Sequence, residues 1–384
     1  MNDISSPFTA PAVTHPKKSL PQEKHWPDEI RVSLERKWRT DTNGSLQVQQ
    51  SNRLLCDMRS SSLLLLSFLV GVCDVQGASG FRICAFNLQH FGDSKSKKST
   101  VMHTLTRIIT RCDVCLLQEV RDSKGKALPQ LLTNLNRYDN EHVYEAVASE
   151  RLGRTESYQE QYVFVYRTGT VTVTGQYQYP DDKPGDVDAF AREPFVVRFK
   201  APKTAIKEFV LIPQHTTPTN TTKELDALYD VLQHVKKMWK TENVMLLGDF
   251  NADCGYLAKK NRKNVRLITQ EGLIWLIPDK TDTTVRSSTS CTYDRIVVNG
   301  ESFARAVVPL SAKPFNFQKE YRLTEEQALE VSDHYPVEVL LKVRSSSNSG
   351  ASLSLPGTKE IANQRTKLFS LFVLSHLVLQ MLTC

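Results

Sequence analysis

The chain has 384 residues, 40% of them apolar, and carries 49 Lys and Arg against 42 Asp and Glu for a formal charge of +7. That apolar share excludes a wholly disordered chain, and the length allows one large core or two ordinary ones. The mild basic excess favours attraction to polyanions at long range but does not by itself assign a nucleic-acid partner.

Residues 1–57 are polar, open on a Pro-rich stretch and show no sustained apolar period, which reads as a disordered or spurious extension. Met58 then begins a basic start, a Ser triplet, an apolar run over residues 63–72 and small residues up to Gly77. This is the layout of a secretory signal peptide over 58–77, so the working domain is expected at 78–344.

Within that domain, short apolar runs alternate with amphipathic stretches, and the fold class reads as α/β. FRICAF predicts a buried strand; Val101, Leu105, Ile108 and Ile109 recur at helical spacing, and DVCLLQEV returns to a strand. YVFVYR and VTVTGQYQY, separated by Thr168 and Gly169, suggest a hairpin. After Asn220, Thr221 and Glu224 form a capping-box pattern, and Leu225, Leu228, Leu232, Val235 and Trp239 mark one helical face leading into the strand NVMLLGDF.

Residues 345–384 begin Ser-rich and end in an almost wholly apolar run to the terminus. Small residues, spacer and greasy tail suggest a glycolipid-anchor signal, the run being short for a membrane span and broken by His376 and Gln380. Secretion places the cysteines in an oxidising compartment. Cys84, Cys112 and Cys115 sit in apolar surroundings and read as core thiols; the C-x-x-C of Cys112 and Cys115 has no second pair to complete a zinc site. Asn220 begins a sequon within the domain and is the expected glycan acceptor.

Four clusters follow apolar strands: Asn87 after FRICAF, Glu119 in LLQEV, Asp249 and Asn251 in GDFNAD, and Asp333 with His334 in SDHYP. His215 in IPQHTTP and Asp294 in CTYDRIV add an imidazole and a carboxylate at further strand edges. An Asp or Asn closing a strand is ordinarily a turn residue or a cap. Four such clusters in order, rich in oxygen and free of thiolate, suit magnesium, manganese or calcium. Two histidines beside carboxylates meet the need of phosphodiester hydrolysis for one group to take a proton from water and another to protonate the departing oxygen.

The ordered set QEV, GDFNAD, YDRIV and SDHYP resembles the endonuclease, exonuclease and phosphatase superfamily, and AFN, QEVRD, LGR, SYQEQY, REP, HTTP, WLIPD and DTT resemble its deoxyribonuclease I family over roughly Phe81 to Val343. The tail is similar to that family's glycolipid-tailed branch. The resemblance implies a four-layer sandwich, two packed mixed β-sheets flanked by helices. It implies a monomeric, metal-dependent endonuclease that cuts double-stranded DNA with low sequence specificity, leaving 5′-phosphate and 3′-hydroxyl ends.

It further implies that Glu160 partners His215 and Asp294 partners His334 as acid and base, with Asn87, Glu119, Asp249, Asn251 and Asp333 holding Mg2+ or Mn2+ and the phosphate. Arg121 and Arg192 match positions that touch DNA phosphates; Arg154 and Tyr158 match a loop that enters the minor groove. Cys254 and Cys291 match a long-range disulfide. Structural Ca2+ would take Asp282 and Thr284 at one site, and Asp182, Asp188 and the Phe190 backbone near another. The stretch matching an actin-binding edge strand, YEAVAS, offers only Ala146 and Ala148, so weak or absent actin binding is expected. The competing readings are a phosphatase or phospholipase of the same superfamily and a non-catalytic DNA-binding surface protein.

Overall fold

The strands of the computed structural model build two sheets, as the alternation of apolar and polar runs requires. The first has seven strands, β1 (Phe81–Phe91), β2 (Val114–Val120), β3 (Tyr144–Ala148), β4 (Leu152–Thr155), β5 (Tyr158–Arg167), β12 (Lys313–Pro314) and β13 (Val337–Leu341), in the order β12-β13-β1-β2-β5-β3 with β4 on β5. The second has six, β6 (Thr172–Gln178), β7 (Phe195–Lys200), β8 (Glu208–Pro213), β9 (Val244–Asp249), β10 (Leu273–Trp275) and β11 (Asp294–Asn299), in the order β10-β11-β9-β8-β7-β6. Both are mixed: β1 with β2 and β8 with β9 run parallel, and the other neighbours antiparallel. The structure describes residues 80–344 except 183, 186 and 187, all within the unit Val75–Pro356. The extension, secretion signal and tail expected at 1–57, 58–77 and 345–384 therefore lie outside the described residues. Among the described residues, no helix is long and apolar enough to cross a membrane.

Successive strand side chains point to opposite faces, which explains why these strands are apolar on both sides. Ile83 and Ala85 of β1, Leu116 of β2, Phe164 of β5, Phe199, Leu211, Leu247 and Ile296 fill the layer between the sheets. The alternate residues Cys84 and Phe86 face the Ser99–Ile109 helix through Val101, Leu105 and Ile109. On the far side, Val210, Ile212, Leu246 and Val297 meet Leu225, Leu228, Leu232 and Val235 of the Thr221–Trp239 helix. Three apolar layers between helix, sheet, sheet and helix are the four-layer sandwich. Each fully buried Leu, Ile or Phe contributes about 1.5–3 kcal/mol of hydrophobic burial.

Three local expectations are corrected. The Thr168–Gly169 turn does not close a hairpin: β5 already pairs with β2 on one edge and with β3 and β4 on the other, so the chain crosses to the second sheet, where β6 pairs with β7. Thr221 and Glu224 do not form a capping box, because the helix starts at Thr221 with Asn220 as its cap residue, and buried Glu224 turns back to accept hydrogen bonds from Thr217 N and Gln214 Nε2. Cys84 and Cys112 are not free core thiols. Strand β1 lies parallel to β2, and the end of the preceding helix brings Cys112 over Cys84 to form a disulfide, leaving Cys115 as a buried thiol.

Candidate active site

The parallel strands β1, β2, β8 and β9 all deliver their carboxyl ends to one edge of the sandwich, and the antiparallel β5, β11 and β13 begin there. Loops leaving such ends expose side chains from a fixed scaffold. Asn87 lies in β1, Glu119 in β2 and Asp249 at the end of β9; His215 follows β8, Glu160 lies near the start of β5, Asp294 opens β11, and Asp333 and His334 precede β13. Asp294 stands opposite Asp249 in the β11–β9 ladder. These strand ends bring residues of both sheets to one cleft of about 800 Å³, lined by Glu119, Arg192, His215, Asp249, Asn251, Asp333 and His334 among others, with Asn87, Glu160 and Asp294 in contact with these.

The geometry has a near two-fold character. His215 Nδ1 lies 2.6 Å from Glu160 Oε1, and His334 Nδ1 lies 2.8 Å from Asp294 Oδ2. Each ring then turns its Nε2 toward the same atom, Asp249 Oδ2, at 3.6 Å. Burial opposes the charged form of both rings and Arg192 further opposes it at His215, but Glu160 and Asp249 leave His215 above its ordinary value. Asp294 and Asp249 likewise outweigh burial and hold His334 well above it. Burial would raise the Glu160 carboxyl, yet His215 and Arg192 bring it down to about 2, so it stays an anion.

Asn87 Nδ2 donates to Glu119 Oε1 and to Asp249 Oδ2, both at 3.1 Å, and so holds the two carboxylates side by side. Glu119 and Asn251 have φ of +56° and +49°, a left-handed backbone that is costly for Glu and readily adopted by Asn. The set presents oxygen donors without thiolate, and the ligand atoms of Asp249, Asp294 and His334 lie within 4.8 Å of one another. Carboxylates this close repel each other unless a cation or imidazolium sits among them, so the residues fit a hard divalent ion.

Several supports escaped sequence reasoning because they act through the backbone. Gln118 spans the two sheets: its Oε1 accepts from Asp249 N at 2.9 Å and its Nε2 donates to Gln214 O at 2.7 Å. Gly248 makes this approach possible, since a Cβ there would lie 2.4 Å from Gln214 O at a φ of +130°. Lys95 donates to the carbonyls of Leu88, Gln89 and Val331, tying the end of β1 to the segment before Asp333; burial brings its amine down to about 8 against the pull of Asp333 and Glu119. The only sequence signal for these residues was their adjacency to motif positions.

The arginines divide. The Arg121 guanidinium lies 3.7 Å above the ring centroid of Tyr158, and its buried Nε and Nη2 have no hydrogen-bond partner among the described residues. Arg192 is a buried residue of the cleft wall, donating through Nε and Nη2 to His215 O at 3.0 and 2.7 Å, with Nε 3.2 Å from Glu160 Oε1. It thus braces the His215–Glu160 pair. Tyr158 is 46% exposed at the turn between β4 and β5, while Arg154 bonds Asp188 and donates to Phe190 O at 3.0 Å.

Of the calcium sets, Thr284 donates to Asp282 Oδ1 at 2.6 Å. In the second, Asp188 gathers with Asp181 and Glu193 while Asp182 is exposed. Cys254 and Cys291 form the expected disulfide, fastening the Asn251 loop to the segment entering β11. Asn220 lines the same cleft, and its Nδ2 lies 3.5 Å from Ala189 O.

A layered α/β/β/α scaffold with two carboxylate-held histidines around a cation-ready acidic centre defines a class of phosphoester-cleaving proteins. The chain belongs to the Endonuclease/Exonuclease/phosphatase family, whose model matches residues 84–334. It is 47% identical to Deoxyribonuclease gamma of Rattus norvegicus over 78% of this chain and 97% of that protein. It is 49% identical to Deoxyribonuclease-1-like 1 of Homo sapiens over 73% of this chain and 90% of that protein, and 47% identical to Deoxyribonuclease-1 of Sus scrofa over 74% and 99%.

Proposed function

We propose that this protein is a divalent-cation-dependent endonuclease that hydrolyses the phosphodiester bonds of double-stranded DNA with low sequence specificity, leaving 5′-phosphate and 3′-hydroxyl ends. The observation that carries the reading is the pair of imidazoles, each held at Nδ1 by a buried carboxylate and each aiming Nε2 at Asp249 Oδ2 from 3.6 Å. The deoxyribonuclease names of relatives matched along most of their length support DNA as the substrate.

Glu119 and Asp249, with Asn87, Asn251 and Asp333 around them, would hold Mg2+ or Mn2+. Such an ion supplies charge neutralisation at the phosphoryl oxygens. His215 and His334 handle the protons: one imidazole takes a proton from the attacking water, and the other gives one to the departing oxygen. Glu160 and Asp294 fix the ring orientation and stabilise the imidazolium, and Arg192 keeps Glu160 in place. Arg121 is proposed to contact a DNA phosphate, while Tyr158, presented on the β4–β5 turn, would lie in the minor groove and read its width more than its bases.

Asp282 with Thr284, and Asp188 near its acidic neighbours, are the proposed calcium sites. The domain is proposed to span 78–344, secreted by the 58–77 segment and attached through the 345–384 tail as a lipid-anchor signal, with Asn220 carrying a glycan; two disulfides support an oxidising compartment. The test is incubation of linear duplex DNA with the protein and Mg2+ plus Ca2+, with and without chelator, followed by end analysis. Cation-dependent cuts whose products can be religated without prior phosphorylation are expected. Release of inorganic phosphate from monoesters without cutting of DNA would move the assignment to a phosphatase.

A further inference from the structure

A second cavity, of about 670 Å³, opens beside the catalytic cleft and shares Pro218, Thr219, Asn220 and Tyr256 with it. Its wall is the start of the Thr221–Trp239 helix on one side and Asn261 and Asn264 on the other. Those two asparagines belong to the Lys259–Asn264 3-10 helix, KKNRKN, which the catalytic reading does not use.

The segment is fixed firmly to the site. Arg262 donates to Asp279 Oδ2 at 2.6 Å and to Ala252 O at 3.4 Å, reaching back to the loop that carries Asn251. Arg266, just beyond, donates to both Asp226 and Asp230 of the long helix. With these arginines turned inward, Lys259, Lys260 and Lys263 are exposed, and among the described residues they form no ion pair. Three uncompensated ammonium groups thus sit on a rigid mount beside a polar cavity continuous with the catalytic cleft. The wall is mostly polar, with amides, hydroxyls, the Lys223 side chain and an Asp226 carboxylate that is paired with Arg266, and the N-terminal end of a 19-residue helix adds positive potential.

We propose that this cavity and the three exposed lysines of the adjoining 3-10 helix bind the phosphodiester backbone of duplex DNA on one flank of the cleavage point, lengthening the footprint beyond the catalytic cleft. The inference rests on the endonuclease reading above. Continuity with the cleft favours DNA over a membrane surface, since a strand leaving the shared rim on the Tyr256 side, clear of Asn220, meets Asn261 and Asn264 on the helix that carries the lysines. Lysine suits this task as a point charge that needs no particular base.

The test compares the wild-type full chain with Lys259→Gln/Lys260→Gln/Lys263→Gln on a long duplex over a range of salt, and on the small diester bis(p-nitrophenyl) phosphate. Each DNA phosphate that is no longer neutralised by a lysine reduces the slope of log affinity against log salt by about 0.9, so the triple variant should lose about 2–3 from that slope. The KM for long duplex should rise about tenfold or more near 0.15 M salt, with hydrolysis of the small diester unchanged. An unchanged KM and slope in a variant whose wild type cuts DNA would overturn this inference and leave the endonuclease reading standing. Failure of the wild type to cut DNA would overturn both. Loss of binding to phosphatidylserine vesicles with unchanged DNA kinetics would assign the lysines to a membrane and overturn the proposal.

Discussion

Replacing Gln118 with Met keeps the shape of the side chain while deleting both hydrogen bonds that join the sheets behind the site. In the native protein the fully buried amide satisfies the Asp249 N–H and the Gln214 carbonyl. Met satisfies neither, and the close approach at Gly248 leaves little room for water to replace it. Each buried group left unpaired costs about 1–3 kcal/mol, so a total of about 3 kcal/mol is expected. For a domain of this size that lowers Tm by about 6–12 °C. Asp249 and His215 both lean on this bridge, and loss of such support around a cation site lowers activity about 10–100-fold. Thermal unfolding followed by circular dichroism, together with plasmid cleavage below the transition, reads both effects. A variant with native Tm and native kcat would refute the claim that Gln118 braces the two halves of the site.

Asp294→Asn should keep the fold but remove the charge that holds His334, reducing kcat by about 10²–10⁴ with little change in KM; a native kcat would dissociate Asp294 from catalysis. Actin should not inhibit, because Ala146 and Ala148 on the edge strand β3 present no aromatic anchor, and inhibition at sub-micromolar actin would contradict this. Asn220 stands on the rim shared by the two cavities, so a glycan there would hinder duplex more than small diesters. Asn220→Gln in secreted protein should lose the glycan mass and raise kcat/KM several-fold on duplex alone; equal rates on duplex would show that the glycan points clear of the cleft.

The architecture was legible wherever one physical signal dominated. Short, nearly unbroken apolar runs in FRICAF and NVMLLGDF marked strands buried on both faces, and the chemistry stood out because Asn87, Glu119, Asp249, Asp294 and His334 lie at or near the ends of such runs. Pairing between distant segments was less legible. Nothing local to Thr168 and Gly169 tells that both edges of β5 are already occupied, and apolar neighbours around Cys84 and Cys112 look alike whether the sulfurs are joined or free. Glu224 has the spacing of a cap, but the folded chain offers it Thr217 N and Gln214 Nε2 instead. Arg192, matched to a DNA-binding position by motif, lines the cleft but is almost wholly buried, its guanidinium engaged with His215 O and Glu160, an engagement that no local pattern signals. Gln118 and Lys95 work through main-chain carbonyls and amides, groups that leave no trace in side-chain patterns.

The central claim is that two carboxylate-held imidazoles around a cation site cut DNA. Nicking of supercoiled plasmid by wild type, His215→Ala and His334→Ala, each checked for native circular dichroism and assayed with Mg2+ plus Ca2+ and with chelator, tests it most directly. The account predicts cation-dependent nicking by wild type and a loss of at least about 10²-fold in each variant. Nicking that survives in either well-folded variant, or that is absent from well-folded wild type, would contradict it.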